Sequence, residues 1–450
     1  MSDLFGISIS ALQALQTAIA TTGNNIANAN TPGYSRESVN FATATPQSNG
    51  LATVGAGVQV AGISRAFSQA ATNQLNASQS SLGQLNALQT YTNQIDNIVG
   101  TTGGGLSTSL QNYYNAWSNV ANAPTSTASR QALLGAAQSV AASFQNTSSQ
   151  LQSTNSTINS GILADVQQIN SIGTSISKLN QQIIVGTAQA GGQPPNDLID
   201  QRDQLLSSLS KLVGVTTSTD SSGALNVFVG NGQPLVLQGT VTNLTTVQNP
   251  FNATQLEIST ASNGKNIISG SITTGDLGGL LAARTQAVDP ALNQVGQIAL
   301  ALAQSANTQQ GMGIDLNGTL GANLFTVAGP VVTPASTNSD STTASATISN
   351  VGQLTTNDYL LSYSGGAYHL SNASTGAAVA FTGAGTSASP ISADGLAITL
   401  SGTPASGDQF LIQPTASAAS SFNVALTNPS QLAAAGAIQT SAANANQGGA

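Results

Sequence analysis

Three carboxylates recur at every third residue, Asp197, Asp200 and Asp203. On a helix starting after Pro195 that spacing either complements the positive end of the helix dipole or gathers a carboxylate cluster for catalysis or a metal. Asp315-Leu316-Asn317-Gly318 opens like a calcium loop, but the later ligands and the closing Glu are missing, so it reads as a β-turn. Gly55-Ala56-Gly57 has two glycines at dinucleotide-motif spacing without the third, and reads as a turn entering a strand. The single histidine, His369, has no acid–base partner assignable from sequence and reads as a surface or packing residue. With Cys at 0 and no HExxH, disulfides, thiol chemistry and Cys/His zinc sites are excluded, and no catalytic or metal residues are assigned. An enzyme would need an Asp-based site spread over loops, with Asp315 or Asp358 as its carboxylates. By subtraction the chain reads as a structural protein, with no cofactor.

Composition narrows the partners. The chain has 450 residues, 40% of them hydrophobic, so it can bury a sizeable core, yet only 5% are charged against a usual ~25%. Its surface must therefore consist of Ser, Thr, Asn and Gln. Eight Lys and Arg against 16 Asp and Glu give a net charge of -8, and no Lys or Arg follows Arg284. Such a surface cannot neutralise phosphates, which argues against nucleic acid and anionic membranes. The start, Met1-Ser2-Asp3-Leu4-Phe5, lacks a basic region, and no apolar run approaches the ~20 residues of a membrane span, so neither a cleaved secretory signal nor membrane insertion is expected.

The first helix carries Phe5, Leu12, Ile19 and Ile26 seven apart with Leu15 between, a coiled-coil-like stripe that needs a partner. Asn28-Ala29-Asn30-Thr31-Pro32-Gly33 ends it near residue 28. After an irregular stretch to about Ile63, a second helix places Leu82, Leu85, Leu88, Tyr91, Ile95 and Ile98 on one face, and Gly103-Gly104-Gly105 breaks it. A third aligns Leu106, Leu110, Tyr113 and Trp117, and residues 127–129 cap a fourth that lasts from Arg130 to about Val185. The later half of the fourth is a heptad of Ile158, Ile162, Asp165, Ile169, Ile172, Ile176, Leu179 and Ile183. Asp165 alone interrupts it, either fixing register or, the favoured reading, facing solvent where the partner helix ends.

Gly191-Gly192-Gln193-Pro194-Pro195 is a linker to a helix over 197–213 with Leu198, Leu205, Leu209 and Leu212 inward. Strand alternation then begins: Leu225, Val227 and Val229, a Gly230-Asn231-Gly232 turn, and Leu235-Val236-Leu237. Helical periodicity returns from Asp276 to about Gln310 through Leu277, Leu281, Val288, Leu292, Val295, Ile298 and Leu302. Beyond Gly313, Tyr359, Leu361 and Tyr363 alternate into Gly365-Gly366, and Leu396, Ile398 and Leu400 repeat the pattern. A last helix over 430–438 is expected before an Asn, Gln and Gly tail.

Asn24-Asn25-Ile26-Ala27-Asn28-Ala29-Asn30-Thr31-Pro32-Gly33-Tyr34 closely resembles the signature of bacterial flagellar rod, hook and hook-associated proteins, the axial superfamily. Its continuation as Ser35-Arg36 resembles the hook-associated protein 1 family, the first hook–filament junction proteins. Five later stretches resemble that family in order: residues 130–134, 197–203, 278–284, 311–318 and 407–414. The family normally ends in a long C-terminal helical region that pairs with the first helix and binds an export chaperone. Since this chain stops at Ala450 in a Gly-rich tail, the resemblance implies a chain without that region, chaperone site or intramolecular partner.

What the resemblance implies is an α+β multidomain protein, with long N-terminal helices and a helical bundle of the flagellar axial type carrying two inserted mainly-β outer domains. The expected partition is a packing helix and turn at 1–35, a helical core at 36–213, a small β domain at 214–275, a returning helix at 276–312, an outer β domain at 313–427 and a tail at 428–450. The expected function is a structural subunit of the bacterial flagellum, assembled as a homo-oligomeric ring between hook protein below and a second junction protein or filament above. It would be extracellular and exported by the type III apparatus without a cleaved signal. The implied packing residues are Phe5, Leu12, Leu15, Ile19, Asn24, Asn25, Ile26, Asn28, Asn30, Thr31, Pro32, Gly33, Tyr34 and Arg36. The alternatives are a hook or rod subunit and a secreted adhesin-like binding protein.

Overall fold

Hydroxyl groups that bond back into their own helix make the first element apolar. In α1 (Ser2–Ala27), Ser8, Thr17 and Thr22 donate to the carbonyls of Leu4, Gln13 and Ala18, which hides their polarity. Its segment Leu4–Ala27, at a mean hydropathy of 1.4, is long and apolar enough to cross a membrane by length and composition. This corrects the expectation that no stretch approaches such a span, because its large residues are spread among small ones and form no continuous run. The computed structural model describes residues 2–48, 53–100, 105–261, 266–339 and 342–436. The chain divides into two compact units, Met1–Asn86 with Gly161–Val247 and Ile258–Gly279, and Ala87–Ser160 with Gln248–Glu257 and Leu280–Ala450.

In the first unit the stretch after Tyr34 is an antiparallel hairpin, β1 (Glu37–Thr43) with β2 (Val58–Arg65), where an irregular segment was expected. The hairpin docks on the small face of α1, where Ala14 and Thr21 are buried. Gly57, at φ +97, lies so close that a Cβ there would collide with Ser10 Oγ and sit 3.3 Å from Ile7 Cα. Backbones this near one another admit only small side chains, so the large stripe points away: Phe5 is 70% exposed and Ile19 71%.

The same constraint corrects the second helix, α2 (Gln69–Val99). Leu82 and Leu85 face solvent, and within this unit the buried positions are Asn76 and Ser80. A Cβ on Gly83 would lie 2.5 Å from the Lys211 carbonyl of α5 (Asn196–Leu212), so this side of α2 has room for small residues only. The fourth helix, here α4, runs unbroken over Thr127–Gln189. Its first turn is capped by Ser126, one residue before the expected cap, which accepts from the Ser129 N–H. In this unit Ile162, Ile169, Ile172, Ile176 and Ile183 are all buried. A four-stranded antiparallel sheet follows in sequence order, β3 (Val215–Thr219), β4 (Leu225–Val229), β5 (Gln233–Leu237) and β6 (Thr240–Val241). Its expected turn contains Gly230 and Gly232, both at positive φ.

The second unit contains α3 (Leu106–Asn122) and the N-terminal half of α4. Tyr113, Phe325, Phe422 and Phe144 form a chain of rings at centroid spacings of 5.7, 4.6 and 4.9 Å. The helix expected from Asp276 is α6 (Gly275–Ala283), a π-helical turn over Arg284–Val288 and α7 (Asp289–Gly311). Ile298, expected inward, is 41% exposed. One sheet joins β7 (Val331–Pro334), β13 (Gln409–Gln413), β9 (Tyr359–Ser364) and β10 (Ala367–Asn372) in that order. The other joins β8 (Thr342–Ile348), β12 (Leu396–Gly402) and β11 (Ile391–Ala393). Tyr359, Leu361, Ile398 and Phe410 share one core between the two sheets. Gly365 and Gly366, both at positive φ, turn β9 into β10 as expected.

Residues 430–438 do not form the expected helix within the described part. Pro429–Gln431 is a single 3₁₀ turn, and Ala435–Gly436 pairs with Gly313–Ile314. The buried Arg130 takes the carbonyls of Pro429 and Leu432, which an α-helix would need for itself. Ile438, the tail beyond it, Gly103 and Gly104 lie outside the described residues.

Gly57→Val should release α1 from its hairpin, since a β-branched residue at positive φ costs about 1–2 kcal/mol before the collision with Ser10 is counted. Amide exchange should accelerate in α1 and stay unchanged in β3–β6. Unaltered exchange in α1 would refute the docking constraint.

Candidate functional site

The expected packing residues converge where α1 ends. Asn25 is the hub: its Nδ2 donates to the Glu37 carbonyl at 2.8 Å, and its Oδ1 accepts from the Glu37 N–H at 2.8 Å and from Tyr34 Oη at 2.9 Å. A side-chain amide presents one donor beside one acceptor, so Asn25 satisfies both backbone groups of the first β1 residue as a neighbouring strand would. Asn28 Nδ2 donates to Asn24 Oδ1 at 2.8 Å, and Thr31 Oγ1 donates to Asn28 Oδ1 at 3.2 Å. Pro32 stops the helix, and Gly33 turns at φ +84 with the Gln204 side chain 3.3 Å from where its Cβ would be. Asn30 and Arg36 are exposed and take no part in these bonds. The stripe Phe5, Leu12, Leu15, Ile19 and Ile26 is exposed along α1.

Four residues outside the expected set, Arg65, Asn196, Asp200 and Asp203, hold this turn. Arg65, at the end of β2, pairs through Nη1 with Asp200 and with Asp203 at 2.9 Å, and its guanidinium lies 4.6 Å from the Phe67 ring centroid. Asp200 Oδ2 also accepts from the Ser35 N–H at 2.7 Å. Asn196 Nδ2 donates to Glu37 Oε1 at 2.6 Å and to the Ile63 carbonyl at 3.2 Å. The three-residue spacing of Asp200 and Asp203 thus serves one arginine. Burial and the neighbouring Glu37, Asp197 and Asp200 raise the Tyr34 phenol above its usual range, so it remains a donor to Asn25. Asn25, Tyr34, Glu37, Arg65, Asn196, Asp200 and Asp203 are each committed to a partner, which makes the site a fixed joint between helix and hairpin.

Asp315 and Asp358, the carboxyls an Asp-based enzyme would need, are also held by hydrogen bonds. Asp315 accepts from the N–H groups of Asn317 and Thr319 at 2.8 and 2.9 Å, as a β-turn requires. Asp358 accepts from Asn293 and Gln413, each at 3.0 Å, and burial raises it to about 6. Among the described residues no group of three or more His, Cys, Asp or Glu is arranged to hold a metal ion. His369 lies exposed on β10.

Asp165 overturns its expected solvent-facing role. It is 7% exposed inside the isoleucine seam and faces Asp276 in the first turn of α6. Burial, then the charge of Asp276 and the hydrogen bond between them, raises Asp165 to about 7, and Asp276 is raised chiefly by burial. Two buried carboxyls facing each other disfavour the doubly charged state, so both are pushed toward the protonated form.

A carboxyl that titrates near 7 when folded and near 3.8 when unfolded makes the native state bind an extra proton between those values. Its contribution to stability is complete below the unfolded value and is lost as the pH rises through 7. Asp165→Asn should therefore flatten the pH dependence of the denaturation midpoint over about pH 4–7 and stabilise the protein by a few kcal/mol near pH 8. An unchanged slope would exclude a raised Asp165.

Comparison with known proteins gives a consistent answer. Residues 92–325 match the model "Flagellar hook-associated protein FlgK helical domain", and residues 333–414 match "Flagellar hook-associated protein 1, D2-like domain". Residues 6–34 match "Flagella basal body rod protein". The chain is 32% identical over 438 residues to flagellar hook-associated protein 1 of Escherichia coli (strain K12), covering 97% of this chain and 80% of that protein. For the Salmonella typhimurium protein of the same name the figures are 33% over 439 residues, 97% and 79%. The solved flagellar hook junction protein FlgK from Burkholderia pseudomallei superposes with a TM-score of 0.74 at 36% identity, over 81% of this chain and 66% of that one.

Proposed function

The chain belongs to the flagellar hook-associated protein 1 family, and from that membership we infer that it is a structural subunit of the bacterial flagellum at the hook–filament junction, part of the external flagellum. The observation that carries this reading is the inversion of α1. Its small face is used up by the hairpin, and a stripe of large apolar side chains is left without cover. An exposed apolar stripe of this length marks a surface meant for a neighbour, and the polyamide joint below it fixes the angle at which the stripe is presented.

In this reading residues 1–35 supply the packing surface, and the β regions at 214–275 and 313–427 take no part in it. Copies associate into a short ring, with hook protein on one side and the second junction protein or the filament on the other. The subunit reaches that place by export without a cleaved signal. Its role is mechanical, joining two polymers, and the carboxyls described above serve packing rather than catalysis.

Co-sedimentation of the purified chain with isolated hooks tests the reading, with binding expected and failure to bind counting against it. Leu12→Ser combined with Ile19→Ser should leave stability within about 0.5 kcal/mol, because both side chains are exposed in the free subunit. Hook binding should nevertheless fall at least severalfold. Gly33→Val, which forces a β-branched residue to positive φ, and Pro32→Ala should also lower hook binding while β3–β6 and β7–β13 stay folded. Normal incorporation of all these variants would remove the role given to the stripe and its turn.

A further inference from the structure

Charge is so scarce on this surface that two exposed, unmatched charges beside one turn carry information. Of the eight Lys and Arg, Arg130, Arg202 and Arg284 are buried and Arg65 is held by two carboxylates. Arg36 and Asp197 are both exposed, and among the described residues neither belongs to an ion pair. Asp197 lines a hollow of about 240 Å³ against Gly33 and Tyr34, together with Asn28, Gln201 and Gln204. Arg36 lines a different hollow, of about 640 Å³, with residues of α1 and β1. The two hollows have only Tyr34 in common. Glu37, the acid next to Arg36, is already held by Asn196.

We infer that Arg36 of one copy enters the Asp197 hollow of a second copy, so that the signature turn is itself a contact between subunits. The inference rests on the junction reading and names the surfaces that would close the ring. Guanidinium suits the hollow because its planar fork matches a carboxylate while the amide oxygens of Asn28, Gln201 and Gln204 can accept its remaining N–H groups. The exposed Lys211 and Lys178 line neither hollow. In a chain with 5% charged residues, few competing pairs exist to misdirect the contact.

The absence of cysteine makes the test clean. Arg36→Cys and Asp197→Cys chains are mixed, bound to isolated hooks and treated with a bis-maleimide about as long as an arginine side chain. The expected product is the mixed dimer, in clear excess over both same-variant dimers. Arg36→Glu and Asp197→Arg should each lower the hook-bound amount about fivefold, and the two changes combined in one chain should restore it. Mixed and same-variant dimers in equal yield, or hook-bound chains indifferent to charge reversal, would overturn the contact. If the unsubstituted chain fails to sediment with hooks, the junction reading itself falls and this contact with it.

Discussion

One interaction recurs four times among the described residues where a helix meets extended chain: an asparagine on the helix exchanges two hydrogen bonds with the N–H and C=O of a single extended residue. Asn25 does so with Glu37, Asn170 with Leu244, Asn180 with Leu225 and Asn307 with Phe325. Each pair closes a strand end that would otherwise bury unsatisfied backbone groups, at a cost of about 1–3 kcal/mol apiece. A chain with so few charges has little else with which to do it. The amide is also neutral, so it enters the interior without the desolvation penalty that a carboxylate or ammonium would bring.

The few charges that do enter the interior each tie several segments together. Arg202 Nη1 donates to Asn180 Oδ1 and to the Gly223 carbonyl, adding a cation to one of the amide exchanges. Arg284 reaches Glu257 at 2.9 Å and the Leu256 carbonyl at 2.6 Å from the π-helical turn. Arg130 has no carboxylate partner and is held by backbone carbonyls, including that of Pro124 at 2.6 Å. The interior thus takes three of the eight cations, Arg130, Arg202 and Arg284, and the surface becomes a field of largely uncharged polar groups. That field stays soluble without offering long-range attraction to arbitrary partners.

Periodicity was legible where side chains decide burial and failed where backbone proximity decides it. The isoleucines of α4 and the alternation of Leu225, Val227 and Val229 were read correctly because large residues there fill the core. On α1 and at Leu82 and Leu85 of α2 the assumption that large means inward fails, because Gly57 and Gly83 bring backbones together and leucines cannot fit, whereas Ile95 farther along α2 is buried as expected. Of the hairpin over 37–65 the sequence shows only the turn at Gly55–Gly57 that enters its second strand, because the alternation is weak, with every position intermediate or exposed. Asparagines were read only as turn formers, although Asn170 and Asn180, each directly after a seam residue of α4, were the available signal for the amide exchange. Asp165 was placed outside because a lone carboxyl in a seam has no partner in one dimension; its partner, Asp276, is over a hundred residues away.

Helices α1 and α2 share a consequence. When glycine and serine face inward, the free energy of burying large side chains is not used in folding the subunit and remains available for association. Each fully covered Leu, Ile or Phe represents roughly 1.5–3 kcal/mol of transfer free energy. On α1 that reserve is spread over Phe5, Leu12, Leu15, Ile19 and Ile26, and on α2 over Leu75, Leu82 and Leu85, all more than half exposed. A subunit built this way folds with its small residues and assembles with its large ones. The rigidity of the Asn25 joint then has a physical purpose, because a stripe that swung freely about residue 33 would lose on association the orientational entropy that a fixed one has already given up in folding.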